Sequence, residues 1–100
     1  MNSDKGPAPG EGPSKEERET GHYDIAFVAE MPSGERVTAT VKGDKDPGYG
    51  STSKMIAESA LCLIDDVPDA AGGIWTAGAI MAAPLVRRLE ANAGLSFSID

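Results

Sequence analysis

The sequence predicts a small α+β domain: a three-stranded, mainly antiparallel sheet, made of a β-hairpin and a C-terminal strand, with two helices on one face. Three observations carry this. Apolar residues alternate with polar ones on both sides of Met31-Pro32-Ser33-Gly34, and again at the end of the chain. Between those stretches the apolar residues recur at helical spacing, twice, on either side of a Gly/Pro/Asp-rich loop. The 100 residues suffice for one modest core and not for two.

Residues 1–21 hold Gly6, Pro7, Pro9, Gly10, Gly12 and Pro13 ahead of Lys15-Glu16-Glu17-Arg18-Glu19. They read as a flexible, linker-like segment, with the single domain occupying residues 22–100. Ser14 can cap one charged turn over 15–19, but so short a helix needs packing to persist. Tyr23, Ile25 and Phe27 then alternate with Asp24 and Ala26, a half-buried strand. The second strand, Arg36 to Lys42, sets Val37, Ala39 and Val41 against Thr38, Thr40 and Lys42.

Gly43 to Gly50 turns the chain into a helix that Ser51, Thr52 or Ser53 can cap. Ile56, Ala60, Leu63 and Ile64 form its apolar stripe, widened by Ala57 and Leu61, which predicts a largely buried helix. It should stop near Ile64, because Asp65-Asp66 oppose the dipole and Pro68 forbids continuation. A second helix is predicted from about Gly78 to Asn92, with Met81, Leu85 and Leu89 inward and Arg87, Arg88 and Glu90 outward. Pro84 requires that this helix either begin within a turn of it or kink there. Gly94 ends it, and Leu95, Phe97 and Ile99 alternate through the last strand.

The net charge of −7 opposes binding to nucleic acid or to an anionic membrane surface. No apolar run approaches a membrane span, and no basic-then-apolar leader opens the sequence. Cys62 is the single cysteine, so it can form neither an internal disulfide nor a cysteine-based zinc site. It reads as a buried, inert thiol, and a reducing cytoplasm fits the chain.

Four stretches invite a chemical reading. Asp65-Asp66-Val67-Pro68-Asp69 has the spacing that holds magnesium against a diphosphate, but Pro68 breaks the turn on which the carboxylates would converge. A solvated acidic loop is the better reading. His22 has no organised polar partner in sequence and reads as a surface histidine. The Gly43–Lys54 corner lacks the spacing of a P-loop, and the strand before it belongs to a hairpin rather than to a parallel βαβ unit. A plain strand-to-helix turn needs the same glycines, but Tyr49 and Asp46 exceed what a turn requires. If the corner faces a ligand, Asp46, Tyr49, Ser51 and Thr52 are the residues that meet it. Gly72-Gly73-Ile74-Trp75-Thr76 offers Trp75 either to a tight core or to another domain. Trp75 and Phe97 are the interface candidates. No catalytic residue and no metal ligand is assigned.

Pro9-Gly10-Glu11-Gly12-Pro13-Ser14 with Glu17-Arg18-Glu19, the run Gly43-Asp44-Lys45-Asp46-Pro47-Gly48-Tyr49 into Lys54-Met55 and Glu58-Ser59-Ala60, and Gly72-Gly73-Ile74-Trp75-Thr76 before Leu85-Val86 and Arg88-Leu89 form a recognisable set. Together they resemble the C-terminal end of saccharopine dehydrogenase-like oxidoreductases, in the branch that includes trans-acting enoyl reductases. The resemblance implies an NAD- or NADP-dependent parent enzyme whose Rossmann domain lies upstream, outside this sequence. The chain would then shape a substrate cavity or a subunit interface, hold no cofactor of its own and not be catalytic alone. A freestanding binding or self-association module, with a homodimer as one form, is the alternative, and the free edge Leu95–Ile99 is one route.

Overall fold

A computed structural model gives the fold of residues 8–100; the first seven residues of the expected linker lie outside the described residues. The elements run α1 (Lys15–Thr20), β1 (Tyr23–Glu30), β2 (Arg36–Gly43), α2 (Gly50–Asp65), α3 (Ala77–Asn92) and β3 (Leu95–Ile99). The three strands form one sheet in the order β1-β2-β3, antiparallel at both junctions. This is the α+β class and the sheet that the alternation predicts.

The register explains the alternation. Tyr23 lies across Gly43 and Leu95, Ile25 across Val41 and Phe97, and Phe27 across Ala39 and Ile99. These residues share one face, since side chains point the same way every second position. At the Tyr23 end the helices cover that face: Leu95, Val41 and Phe97 pack with Cys62, Met81, Leu85, Leu89 and Ala93. At the hairpin end they do not. Ile25 is 45% exposed, Phe27 54% and Ile99 79%.

The helix that the sequence marks for burial is buried on a different stripe. The core side of α2 is Ser51, Met55 and Cys62, whereas Ile56 and Ile64 are 69% and 68% exposed and Leu61 and Leu63 are nearly half exposed. The expectation of a largely buried helix is therefore corrected. A sequence apolar on most sides cannot say which side meets the sheet, and this sheet with α3 is wide enough for one side only.

Pro84 acts as the proline rule requires. Thr76 caps a first turn by accepting from the Ala79 N–H, Met81 departs from helical geometry (φ −146°, ψ 30°), and the main helix starts afresh within a turn of Pro84. Met81, Leu85 and Leu89 face the core as predicted. Gly94, at φ +69°, follows the C-cap and sends the chain back into β3.

Residues 8–21 are in contact with the strand-to-helix corner. Ser14 and Glu17 close a reciprocal capping box on α1, with Ser14 Oγ accepting from the Glu17 N–H and Glu17 Oε2 accepting from the Ser14 N–H. The Asp46 N–H donates to Arg18 O at 3.1 Å. Gly21 and Gly50 permit this approach: a Cβ on Gly21 would sit 2.8 Å from Asp46 Cα, and one on Gly50 2.7 Å from Arg18 O. Packing that a six-residue helix lacks by itself comes from this contact.

Candidate functional site

The corner organises around Asp46. Its carboxylate accepts three successive backbone N–H groups, from Gly48 (3.2 Å), Tyr49 (2.6 Å) and Gly50 (3.1 Å), while its carbonyl accepts from Ser51 at 2.7 Å. The free amides at the start of α2 are thus met by a residue four positions upstream. Tyr49 stands at the N-cap without a side-chain bond, so the expected cap by Ser51, Thr52 or Ser53 is corrected. The hydroxyls turn elsewhere: Thr52 donates to Pro47 O at 2.5 Å and Ser53 to Gly50 O at 3.2 Å. Ser51 is fully buried, its Oγ 2.7 Å from the Tyr23 hydroxyl.

Of the four residues that the sequence offers to a ligand, Asp46, Ser51 and Thr52 are therefore engaged within the chain. Tyr49 remains 58% exposed, its ring edge against Gly12, where a Cβ would stand 3.3 Å away. A cavity of about 350 Å³ opens between Gly10–Pro13, Arg18 and Tyr49. The Arg18 guanidinium does not point free into it as an anion hook, since Nη1 donates to Pro13 O at 2.8 Å.

The three N–H bonds, led by that from Gly50, hold the Asp46 carboxyl below its ordinary value of 3.8. Asp66 is also held below 3.8, first by its bond from Arg88. A carboxyl whose folded value is depressed contributes stability above its unfolded value, and loses that contribution as pH falls through the folded one. The two residues should therefore support the fold at neutral pH and lose that support progressively as the pH falls below about 3.8. An Asp46→Asn chain should unfold earlier in urea than the parent at pH 7, with the gap closing as the pH is lowered below that value. Far-UV circular dichroism at stepped pH reads this directly.

A second polar cluster was not anticipated. Arg88, expected to face outward, is half-buried and ties α3 to the end of α2: Nε donates to Asp66 at 2.5 Å, Nη1 to Glu58 at 3.1 Å and Nη2 to Asp65 at 3.5 Å. Asn92 adds a bond to Glu58 at 3.3 Å. The acidic run after α2 is thus an ion-paired helix end and not a freely solvated loop. Its poor fit to the dipole is offset by the guanidinium. Only the Glu58 to Asp65 spacing, two helical turns on one side of α2, could have hinted at a shared partner. Among the described residues no group of three or more His, Cys, Asp or Glu is placed to hold a metal ion.

Cys62 is buried as expected, and that burial pushes its thiol above the ordinary range. His22 is exposed. Trp75 is 55% exposed, with its indole N–H donating to Ala71 O at 3.1 Å and Ile74 beside it fully exposed. The ring lies between two open apolar hollows of about 450 and 580 Å³, walled by Val67, Pro68 and Ile80. Phe97 is half-buried and packs against the core.

Fold and corner define a small α+β unit with an internally satisfied turn and much apolar surface left uncovered. The chain is 40% identical over 93 residues to a Mycobacterium tuberculosis protein whose name assigns it provisionally as a trans-acting enoyl reductase; the match covers 90% of this chain and 22% of that protein. It is 38% identical over 85 residues to the trans-acting enoyl reductase of Mycobacterium ulcerans, and 36% identical over 85 residues to that of Mycobacterium bovis. Each of these two matches covers 83% of this chain and 20% of the relative. The chain spans about a fifth of the length of the curated relatives it matches. No family model matches it, and no solved structure matches it.

Proposed function

We infer that this chain is the C-terminal portion of an NAD(P)-dependent oxidoreductase of the saccharopine dehydrogenase-like kind, in the trans-acting enoyl reductase branch. In this reading it works in the cytoplasm as a wall of the substrate cavity or as an interface, and its partner is the Rossmann domain of the same enzyme. The observation that carries the reading is the outer face of α2. Ile56, Leu63 and Ile64 are exposed, with Ile74 and Trp75 nearby in sequence on the following loop, in a chain similar along nine-tenths of its length to one part of much longer reductases. A helix apolar on both sides belongs in an interior.

The described residues do not suit a nicotinamide dinucleotide. Pyrophosphate binds where free amides open a helix, and at α2 a carboxylate already occupies them. The cofactor, which carries the hydride, is therefore assigned to the Rossmann domain and no step of its chemistry to this chain.

The test has two parts. Calorimetry of the purified chain with NADH and with NADPH should show no binding, and saturable tight binding would refute the reading. Mixed with the remaining four-fifths of the M. tuberculosis relative, produced without its matching segment, the chain should form a stable complex. Ile64→Lys, a charge that suits this end of the helix, should weaken that complex by about 30-fold or more, the roughly 2 kcal/mol typical of an interface anchor. It should leave the melting of the free chain nearly unchanged, because Ile64 is 68% exposed.

A further inference from the structure

The two edges of the sheet are not alike. On the outer side of β3, Glu90 reaches over and its carboxylate accepts the Phe97 N–H at 3.2 Å, so a backbone group that could recruit another strand is already taken. Among the described residues, no strand lies along the outer side of β1 over all eight of its positions. The hairpin bond from the Met31 N–H to Glu35 O fixes which groups are free. In an antiparallel ladder the bonded pairs alternate, so Tyr23, Ile25, Phe27 and Ala29 bond to β2, while the N–H and C=O of Asp24, Ala26, Val28 and Glu30 point outward.

The centre of this open edge carries none of the devices that keep an edge single. Ile25-Ala26-Phe27-Val28-Ala29 contains no charge, no proline and no glycine, and Ile25, Phe27 and Val28 are 45%, 54% and 64% exposed. The nearest charges, Asp24 and Glu30, flank it at either end.

We propose that the outer edge of β1 pairs antiparallel with the same strand of a second copy, about a twofold axis at Ala26, joining two three-stranded sheets into one. The sequence selects both occupant and register. With the axis at Ala26, Ile25 lies across the partner's Phe27 on the helix side, so the apolar residues that the helices leave uncovered meet across the axis. Asp24 falls across the partner's Val28, and His22 across the partner's Glu30, so no like charges meet. Moving the axis one residue, to Phe27, would set Asp24 against the partner's Glu30 twice. Moving it to Ile25 would run the strand ends into α1 (Lys15–Thr20), and moving it to Val28 would bring in Pro32. The surface is separate from the outer face of α2, so the proposal does not depend on what that helix packs against.

Sedimentation equilibrium of the full chain at increasing concentration should show a species of twice 10.3 kDa. Ala26→Lys puts two ammonium groups side by side at the axis, and Ala26→Pro removes an outward N–H that β2 does not use. Both should abolish the dimer while keeping the far-UV spectrum of the parent and, at dilutions where the parent is monomeric, its melting. Ala26→Cys should link two chains on mild oxidation, since a bonded antiparallel pair lies within disulfide reach, whereas Phe27→Cys should not. The proposal is overturned if the chain stays monomeric at millimolar concentration. It is equally overturned if the dimer survives Ala26→Pro, or if Phe27→Cys cross-links as readily as Ala26→Cys; either result would place association on another surface.

Discussion

Gly43→Ala should be among the most damaging single-methyl additions that this chain can receive, costing roughly 2–5 kcal/mol. Gly43 is buried at the end of β2, directly across from Tyr23, and a Cβ there would overlap the Tyr23 ring. The ring cannot simply step aside. Its hydroxyl is 2.7 Å from Ser51 Oγ, and Ser51 is fully buried with no other side-chain partner among the described residues. Displacing the ring therefore adds the cost of stranding a buried hydroxyl to the strain of overpacking. Urea unfolding followed by circular dichroism measures the loss, and Gly72→Ala, with nothing within 4 Å of the added methyl, serves as the neutral control. In a Tyr23→Ala background the same substitution should cost much less, because the colliding ring is gone. Equal losses in both backgrounds would show that the ring is not what Gly43 accommodates.

Leu89→Ala should cost about 2–5 kcal/mol, the range for removing an isobutyl group from a packed interior. Leu89 is 7% exposed and lies in the small cluster with Cys62, Leu85, Ala93 and Leu95 that joins α2, α3 and β3. So few fully buried residues leave little to collapse into the cavity, which favours the upper part of that range. The informative comparison is Ile56→Ala. By sequence the two residues are alike, each an aliphatic residue on a helical stripe, but Ile56 is 69% exposed and its truncation should stay within about 0.5 kcal/mol. Similar losses at both positions would mean that the apolar side of α2 is covered in solution even in the isolated chain.

Those two residues also mark how far the sequence can be read. Period two over Tyr23–Phe27, Arg36–Lys42 and Leu95–Ile99 located the strands because alternation is a local property of one half-buried surface. Met81, Leu85 and Leu89 were likewise legible as an inner stripe, and Pro84 announced the break before it. The orientation of α2 was not legible. With Ile56, Ala60, Leu63 and Ile64 on one side and Met55 and Cys62 on another, the pattern names two apolar sides and no criterion for choosing. Nor was the corner fully legible. Hydroxyls at positions 51–53 are good capping residues in isolation, but Asp46 reaches the same amides from upstream once Pro47 and Gly48 turn the chain. Arg88 looked like a solvent-facing charge because its three carboxylate partners lie more than twenty positions away.

By itself, then, the sequence determined the class, the order of the elements, the breaks at Gly43, Pro68 and Pro84, and the likeness to one part of a family of reductases. These follow from local spacing and from fixed backbone preferences. Only the tertiary structure decided which side of α2 meets the sheet, that Asp46 caps the helix, that Arg88 gathers three acidic residues, and that, among the described residues, one sheet edge is guarded while the other is open. Each of these depends on which surfaces distant segments cover, and coverage arises only when the chain closes on itself.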